Sequence, residues 1–177
     1  MKQFSLNPWK KMFLITLLLS SLYITAFGAT FNNLPPKALA SPGTVVAIDP
    51  QLSTAEPDQY FTVNATIADV TDLINWGARI SWPAGLLSAH KDNVTEGPFL
   101  KQGGSTSFSK KVYMSYMDIT SMFVGTVPGV TGSGTLATII FKVLDGGNCT
   151  LKLDPARTTL YNSTGVIART LRDGDFY

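Results

Sequence analysis

From Thr44 to the end of the chain, apolar and polar residues alternate in short runs, broken about every ten residues by clusters of Gly, Pro and Asp. A period of two places the apolar residues of each run on one face of an extended strand. Runs this short cannot shield that face alone, so they must pair into sheets, and the sheets must stack. The pattern therefore predicts an antiparallel sandwich or barrel. No stretch after residue 40 carries helical periodicity.

Phe61, Val63, Ala65 and Ile67 alternate with Tyr60, Thr62, Asn64 and Thr66 in the run Tyr60 to Ala68. Ile74, Trp76, Ala78, Ile80 and Trp82 alternate with Asn75, Gly77, Arg79 and Ser81, a one-sided strand that Pro83 ends. Ala137, Ile139, Phe141 and Val143 give a third strand, and Leu151 with Leu153 a shorter fourth that turns Asn148 and Thr150 outward. Weaker strands are expected at Thr44 to Asp49, Ser105 to Met114, Ile119 to Thr126 and Ile167 to Tyr177, with no more than one turn at Leu86 to Lys91. Eight or nine short strands predict a two-sheet jelly-roll sandwich. A seven-stranded immunoglobulin domain needs a Cys, Trp, Cys framework that a single Cys cannot supply.

The first forty residues differ in kind. Lys2, Lys10 and Lys11 precede an apolar run from Met12 to Phe27, the basic and apolar regions of a secretory signal. Spanning a membrane takes about 20 apolar residues and this run has sixteen, which favours a secretory signal and leaves an uncleaved anchor as the alternative. Cleavage is expected after Gly28 or after Ala40, and the chain divides into residues 1–40, a signal or anchor with a short linker, and residues 41–177, one folded domain. Lys2, Lys10, Lys11 and Lys37 have no acidic counterpart among those forty, so the remainder holds ten basic and twelve acidic groups, a net of −2. A body of that charge lacks the clustered Lys and Arg that displace counterions from nucleic acid.

Four of the five Asn after residue 40 open N-x-[ST] sequons, Asn64, Asn93, Asn148 and Asn162. Ser and Thr fill roughly a fifth of this region, and chance would then give about one sequon among five Asn. Glycosylation at these four positions of a secreted or surface protein is expected. Cys149 stands alone, so the fold has no internal disulfide and no set of thiolate metal ligands.

Residues for chemistry are scarce. His90, the only histidine, lies in the polar stretch Ser88 to Asp92 without a G-x-S-x-G elbow to serve, and reads as a solvated loop residue. Metal catalysis lacks His and Cys ligands. Asp173-Gly174-Asp175 reads as a turn into the last strand rather than an acid/base pair. Gly132-Ser133-Gly134-Thr135-Leu136-Ala137 matches a dinucleotide fingerprint formally, yet it leads into a strand where a helix is required, and is expected to be a glycine-rich loop. No calcium loop of the EF-hand type is present. No catalytic residue, metal or cofactor is expected.

Three segments in order resemble the cohesin modules of extracellular polysaccharide-degrading complexes. They are Phe61 to Trp76, a strand, loop and second inward-facing strand; Val94-Thr95-Glu96-Gly97-Pro98-Phe99-Leu100, similar to the family's V-x-x-G-x-F-L turn; and Gly129 to Val143, similar to its G-x-G-x-[LF]-A-x-[IL]-x-F-x-V strand. A closing Arg172-Asp173-Gly174-Asp175 is similar to the D-G-x-V before the last strand. The resemblance covers residues 44 to 177 and implies a nine-stranded jelly roll without catalytic role, which binds a dockerin through one sheet face, the calcium being carried by the dockerin. It also implies that Asn75 matches an Asn that contacts the partner, while Gly77 stands where the family has Asp. With its sequons and short chain, the sequence resembles cohesin-like surface proteins of archaea more than a scaffoldin with many cohesins.

Three non-catalytic readings follow. The first is a protein-binding module using the outer face of the strand with Asn75, Gly77, Arg79 and Ser81. A carbohydrate-binding module would need an exposed row of aromatics. Trp76 and Trp82 fall on the apolar side of their strand, and Tyr113 and Tyr116 fall on opposite faces of a regular strand, so the sequence offers no such platform and favours a protein partner over a polysaccharide. A structural cell-envelope domain is the third.

Overall fold

A computed structural model describes residues 43–177. The expected signal or anchor and both expected cleavage sites lie outside the described residues. The elements follow in the order β1 (Val45–Asp49), β2 (Leu52–Ser53), β3 (Tyr60–Leu73), β4 (Asn75–Ser81), β5 (Leu87–Glu96), α1 (Pro98–Lys101), β6 (Thr106–Val112), β7 (Tyr116–Phe123), β8 (Val130–Val143), β9 (Cys149–Leu153), β10 (Thr159–Asn162), β11 (Gly165–Val166), β12 (Thr170–Arg172) and β13 (Gly174–Phe176). Nine of these thirteen strands have four or more residues, and the other four are pieces of two or three.

They form two sheets. One has the order β12-β1-β3-β8-β5. The other has β4 at its centre, with β7 and then β6 on one side. On the other side β10 pairs with Asn75 to Gly77 and continues to β11, while β9 pairs with Ile80 and Ser81 and continues to β13 and β2. The two edges of the sandwich differ. At one, β1 runs parallel to β12 and β2 parallel to β13, so both ends of the domain cross from one sheet to the other side by side. At the opposite edge, among the described residues, β5 pairs only with β8 and β6 only with β7, so two strand edges are left unpaired there.

The alternating residues face each other across the sandwich as expected. Trp76, Ala78, Ile80 and Trp82 of the β4 run are buried, as are Phe61, Val63, Ala65 and Ile67 of β3, and Ala137, Ile139, Phe141 and Val143 of β8. Phe61 stacks between Phe141 and Phe176, with centroids 5.5 and 4.7 Å away, and Trp82 meets Phe141 edge-on at 5.0 Å. Trp82 can be buried because its indole N–H donates to the Leu87 carbonyl at 2.9 Å.

Several expectations are corrected. Leu86 to Lys91 is not a turn: Pro83 to Leu86 makes the turn, and Leu87 begins β5. The helical turn is α1, entered through Pro98, whose fixed φ suits a first helical position. Gly132 to Ala137 is not a loop but part of β8, which starts seven residues earlier than the alternation at Ala137 suggested. Its glycines blurred the pattern because they serve close packing: a Cβ on Gly134 would lie 2.7 Å from Phe99 Cδ2, and one on Gly97 would lie 2.2 Å from the Thr135 carbonyl oxygen. β7 runs from Tyr116, not Ile119, and the segment from Ile167 splits into β12 and β13 in different sheets. Asp173 sits at that crossing and accepts the Leu153 N–H at 2.8 Å.

Candidate functional site

The outer face of the larger sheet is built from alternate residues of β6, β7, β4, β10 and β9, and strand register arranges them in rows. The first row reads Ser107, Met122, Asn75, Tyr161, Val166. Its apolar members are unusually open, with Val166 65%, Met122 51% and Tyr161 38% exposed. Beside it a hollow of about 510 Å³ is lined by Asn75, Met122, Val127, Tyr161, Asn162 and Ser163, among others. The second row, Ser109, Thr120, Gly77 and Thr159, is small and hydroxyl-bearing. Gly77 is its low point, since a Cβ there would meet Thr120 Cγ2 at 3.3 Å and Thr159 Oγ1 at 3.5 Å.

The third row is charged. Lys111 lies opposite Asp118, and Asp118 opposite Arg79. The guanidinium donates twice, Nε to Asp118 Oδ1 and Nη2 to Oδ2, both at 2.7 Å, the forked geometry that suits Arg and a carboxylate. Hydrogen bonding from Arg79 holds the Asp118 carboxyl below the ordinary Asp range against partial desolvation, with Arg157 and Lys111 adding attraction. Arg79 is therefore not a free outward charge: it is paired, and its Cζ also sits 4.3 Å above the ring centroid of Tyr116.

The fourth row holds Tyr113, Tyr116, Ser81 and Lys152. The placement of the two tyrosines on opposite faces was wrong. They flank the two-residue turn between β6 and β7, with the Tyr113 N–H donating to the Tyr116 carbonyl at 2.8 Å. That pairing brings the rings to one face, stacked 4.5 Å apart at 23°. Asn75, Gly77, Arg79 and Ser81 thus share one face, one in each row. Sequence reasoning missed Asp118 and misplaced Tyr116 because β7 starts three residues before Ile119. It missed Met122 and Tyr161 because β10 is too short to show alternation and the register of β7 and β10 beside β4 is not contained in any one strand.

No family model matches the sequence, and no curated protein matches it. Solved structures do. A non-cellulosomal cohesin from the hyperthermophilic archaeon Archaeoglobus fulgidus superposes with a TM-score of 0.63 at 17% identity, over 76% of this chain and 90% of that one. The third cohesin ScaC of Acetivibrio cellulolyticus, solved with the ScaB dockerin, gives 0.63 at 19%, over 75% and 96%. A type II cohesin domain from the cellulosome of the same organism gives 0.61 at 14%, over 76% and 95%. The domain has a cohesin-like fold.

Within the cohesin-like domain, the segments that carried the resemblance meet in space. Gly97 N–H donates to the Leu136 carbonyl at 2.9 Å, and Phe99 packs on Gly134. Glu96, with a side chain only 8% exposed, receives Ser121 Oγ at 2.6 Å and Thr106 Oγ1 at 3.0 Å and pairs with Lys101 at 3.3 Å, tying β5 to β6, β7 and α1.

The sequon asparagines occupy different settings. Asn148 is exposed in the loop before β9. Asn162 accepts three hydrogen bonds on Oδ1, from Thr164 N, Thr164 Oγ1 and Gly165 N, which forms the turn between β10 and β11. Asn64 lies mid-sheet in β3 and accepts Thr138 Oγ1 at 2.8 Å. Asn93 belongs to β5, where the four residues His90 to Asn93 bulge opposite the single Ile140. His90 is exposed in that bulge, 3.2 Å from Asp92. Among the described residues no cluster of three or more His, Cys, Asp or Glu could hold a metal ion.

Proposed function

We propose that this is a non-catalytic docking module that binds a dockerin-like or other surface protein through the outer face of β4, β6, β7 and β10. The observation that carries this reading is the row order of that face: exposed apolar anchors around Asn75, a small hydroxyl strip at Gly77, and a fixed ion pair at Arg79 and Asp118. Interfaces that hold specific partners combine such an apolar anchor with a polar surround. The resemblance and the dockerin complexes among similar structures support the same class of partner. Any calcium belongs to that partner. Gly77, wedged between two threonines in place of the family's Asp, argues for a partner specificity of its own. The secretory pattern of residues 1–40 and the four sequons support a secreted or cell-surface location, with membrane attachment only through an uncleaved amino-terminal segment. A polysaccharide as the ligand of this same face, and a purely structural envelope role, are the readings it competes with.

The test is binding of a panel of purified calcium-loaded dockerins, run beside envelope proteins from the source. Met122→Glu should weaken a wild-type interaction by about 1–3 kcal/mol, the scale of a charge placed in an interface core, while leaving the fold intact. Equal binding by Met122→Glu and by a Tyr161→Ala variant would remove this face from consideration.

A further inference from the structure

The open edge of the sandwich carries a second feature, a cleft that shares Lys111 and Tyr113 with the far ends of the third and fourth rows but none of the first-row anchors. Between β5 and β6 lies a cleft of about 750 Å³ whose lining includes His90, Lys91, Lys110, Lys111, Tyr113 and Met114. Among the described residues no acidic one lines it. That is a marked local excess, because residues 41–177 as a whole carry ten basic and twelve acidic groups. The cause is visible in the strands: the bulge of β5 throws His90 and Lys91 outward, and the adjacent pair Lys110 and Lys111 sends one lysine to each side of the β6 edge.

Among the described residues none of these lysines is locked in an ion pair, although Lys111 lends Asp118 a longer-range attraction. Lys110 Nζ donates to the Val94 carbonyl, a neutral acceptor that fixes the ammonium without cancelling its charge. Among the described residues neither Lys91 nor Lys111 has a carboxylate within ion-pair distance. Asp118, opposite Lys111, has both carboxylate oxygens engaged by Arg79. The lysines therefore face the cleft with their charge available to an anion.

The rim supplies a different chemistry. Tyr113, 46% exposed, lines the cleft and is backed by Tyr116, which is backed in turn by Arg79. One face of the Tyr113 ring is covered by this ladder and held in place, so little ordering remains to be lost when a ligand meets the ring. Met114 beside it is 83% exposed. A stiff ring next to unpaired ammonium groups matches a ligand that offers both a C–H face and a carboxylate. A pyranose ring of a uronic acid has both, whereas an acidic peptide has the carboxylates without the ring.

We infer that the cleft between β5 and β6 is a binding site for an acidic polysaccharide, its sugar rings stacking on Tyr113 and its carboxylates meeting Lys91 and Lys111. This site is separate from the first-row anchors of the docking face and does not depend on them.

The probe is sodium polygalacturonate, with neutral dextran and poly-L-glutamate of similar length beside it, tested by affinity electrophoresis and calorimetry. The wild type should bind polygalacturonate, more weakly as salt rises, because exposed charges are screened over about 10 Å at 0.1 M salt. Tyr113→Ala should weaken binding by about three- to tenfold, the worth of one aromatic contact, and Tyr113→Phe should restore it. Lys91→Glu should weaken it at least as much, and Met122→Glu should leave it unchanged. Unchanged thermal unfolding of each variant shows that the fold is kept. No binding to polygalacturonate overturns the site, as does equal binding by Tyr113→Ala. Poly-L-glutamate bound as tightly as polygalacturonate would reassign it to acidic proteins and overturn the saccharide. Loss of polygalacturonate binding in Met122→Glu would merge the two surfaces and also overturn the proposal.

Discussion

Gly97 and Gly134 mark the closest approach between the chain around α1 and β8. At Gly97 the obstruction to a side chain is backbone, the Thr135 carbonyl oxygen at 2.2 Å from a Cβ position, and backbone in a sheet cannot step aside. At Gly134 the obstruction is the Phe99 ring, 2.7 Å away, which can tilt but is itself buried. Gly97→Ala should therefore destabilise the domain by about 2–3 kcal/mol and Gly134→Ala by about 1–2 kcal/mol, within the range for overpacked cores. Urea unfolding reads this as a lower midpoint at constant slope, and a wild-type midpoint for Gly97→Ala would show that β8 is not held as described. Both glycines stand out in the sequence by their spacing. What they make room for does not, because Phe99 and Gly134 are neighbours only after β5, α1 and β8 have come together.

At the scale of elements, the β4–β7 pair is fixed by Arg79 and Asp118, and its dependence on pH follows from the carboxylate. Asp118 binds its proton less readily in the folded chain than in the unfolded one, chiefly through its hydrogen bonds from Arg79. Asp58, beside Lys142, and Asp72, which accepts from Ser163 and Gly129, are lowered in the same sense. Their contribution is complete above the unfolded carboxyl value of about 3.9 and is lost as pH falls through the lower folded values. Asp118→Asn should thus lower stability at neutral pH and flatten the acid limb, the two proteins converging as the pH falls through the lowered folded value of Asp118. Parallel stability curves down to pH 2 would mean that the ion pair contributes nothing to the fold. Elements with strict alternation, β3, β4 and the second half of β8, were legible in the sequence along with their buried faces. β5 was not, since four bulged polar residues, His90 to Asn93, separate its apolar residues Leu87 and Ala89 from Val94 and interrupt the alternation. Missing the true start of β7 hid the Asp118 and Tyr116 contacts, for those depend on cross-strand register, which a single strand's pattern does not contain.

The described domain is a sandwich closed at one edge by paired crossing strands, with the edges of β5 and β6 unpaired at the other among the described residues. Its strength lies between the sheets, where the Phe61, Phe141, Phe176 and Trp82 cluster joins β3 and β8 of one sheet to the β4 run and β13 of the other. The open edge is protected from pairing with other chains by its composition, because lysines and a bulge on exposed strand edges discourage intermolecular sheets. Cys149 is half-buried, and burial together with the nearby Asp175 charge pushes its thiol pKa up, so it stays protonated and packs as a small apolar group. A domain held in this way should fold without metal or disulfide. Neither EDTA nor a thiol reductant should move its melting temperature, whereas truncating Phe61 to Ala should lower stability by about 3–5 kcal/mol through the cavity left between two stacked rings. A fall of more than about 5 °C in EDTA, on the order of 1 kcal/mol for a domain of this size, would mean that a bound ion and not the aromatic cluster secures the two sheets.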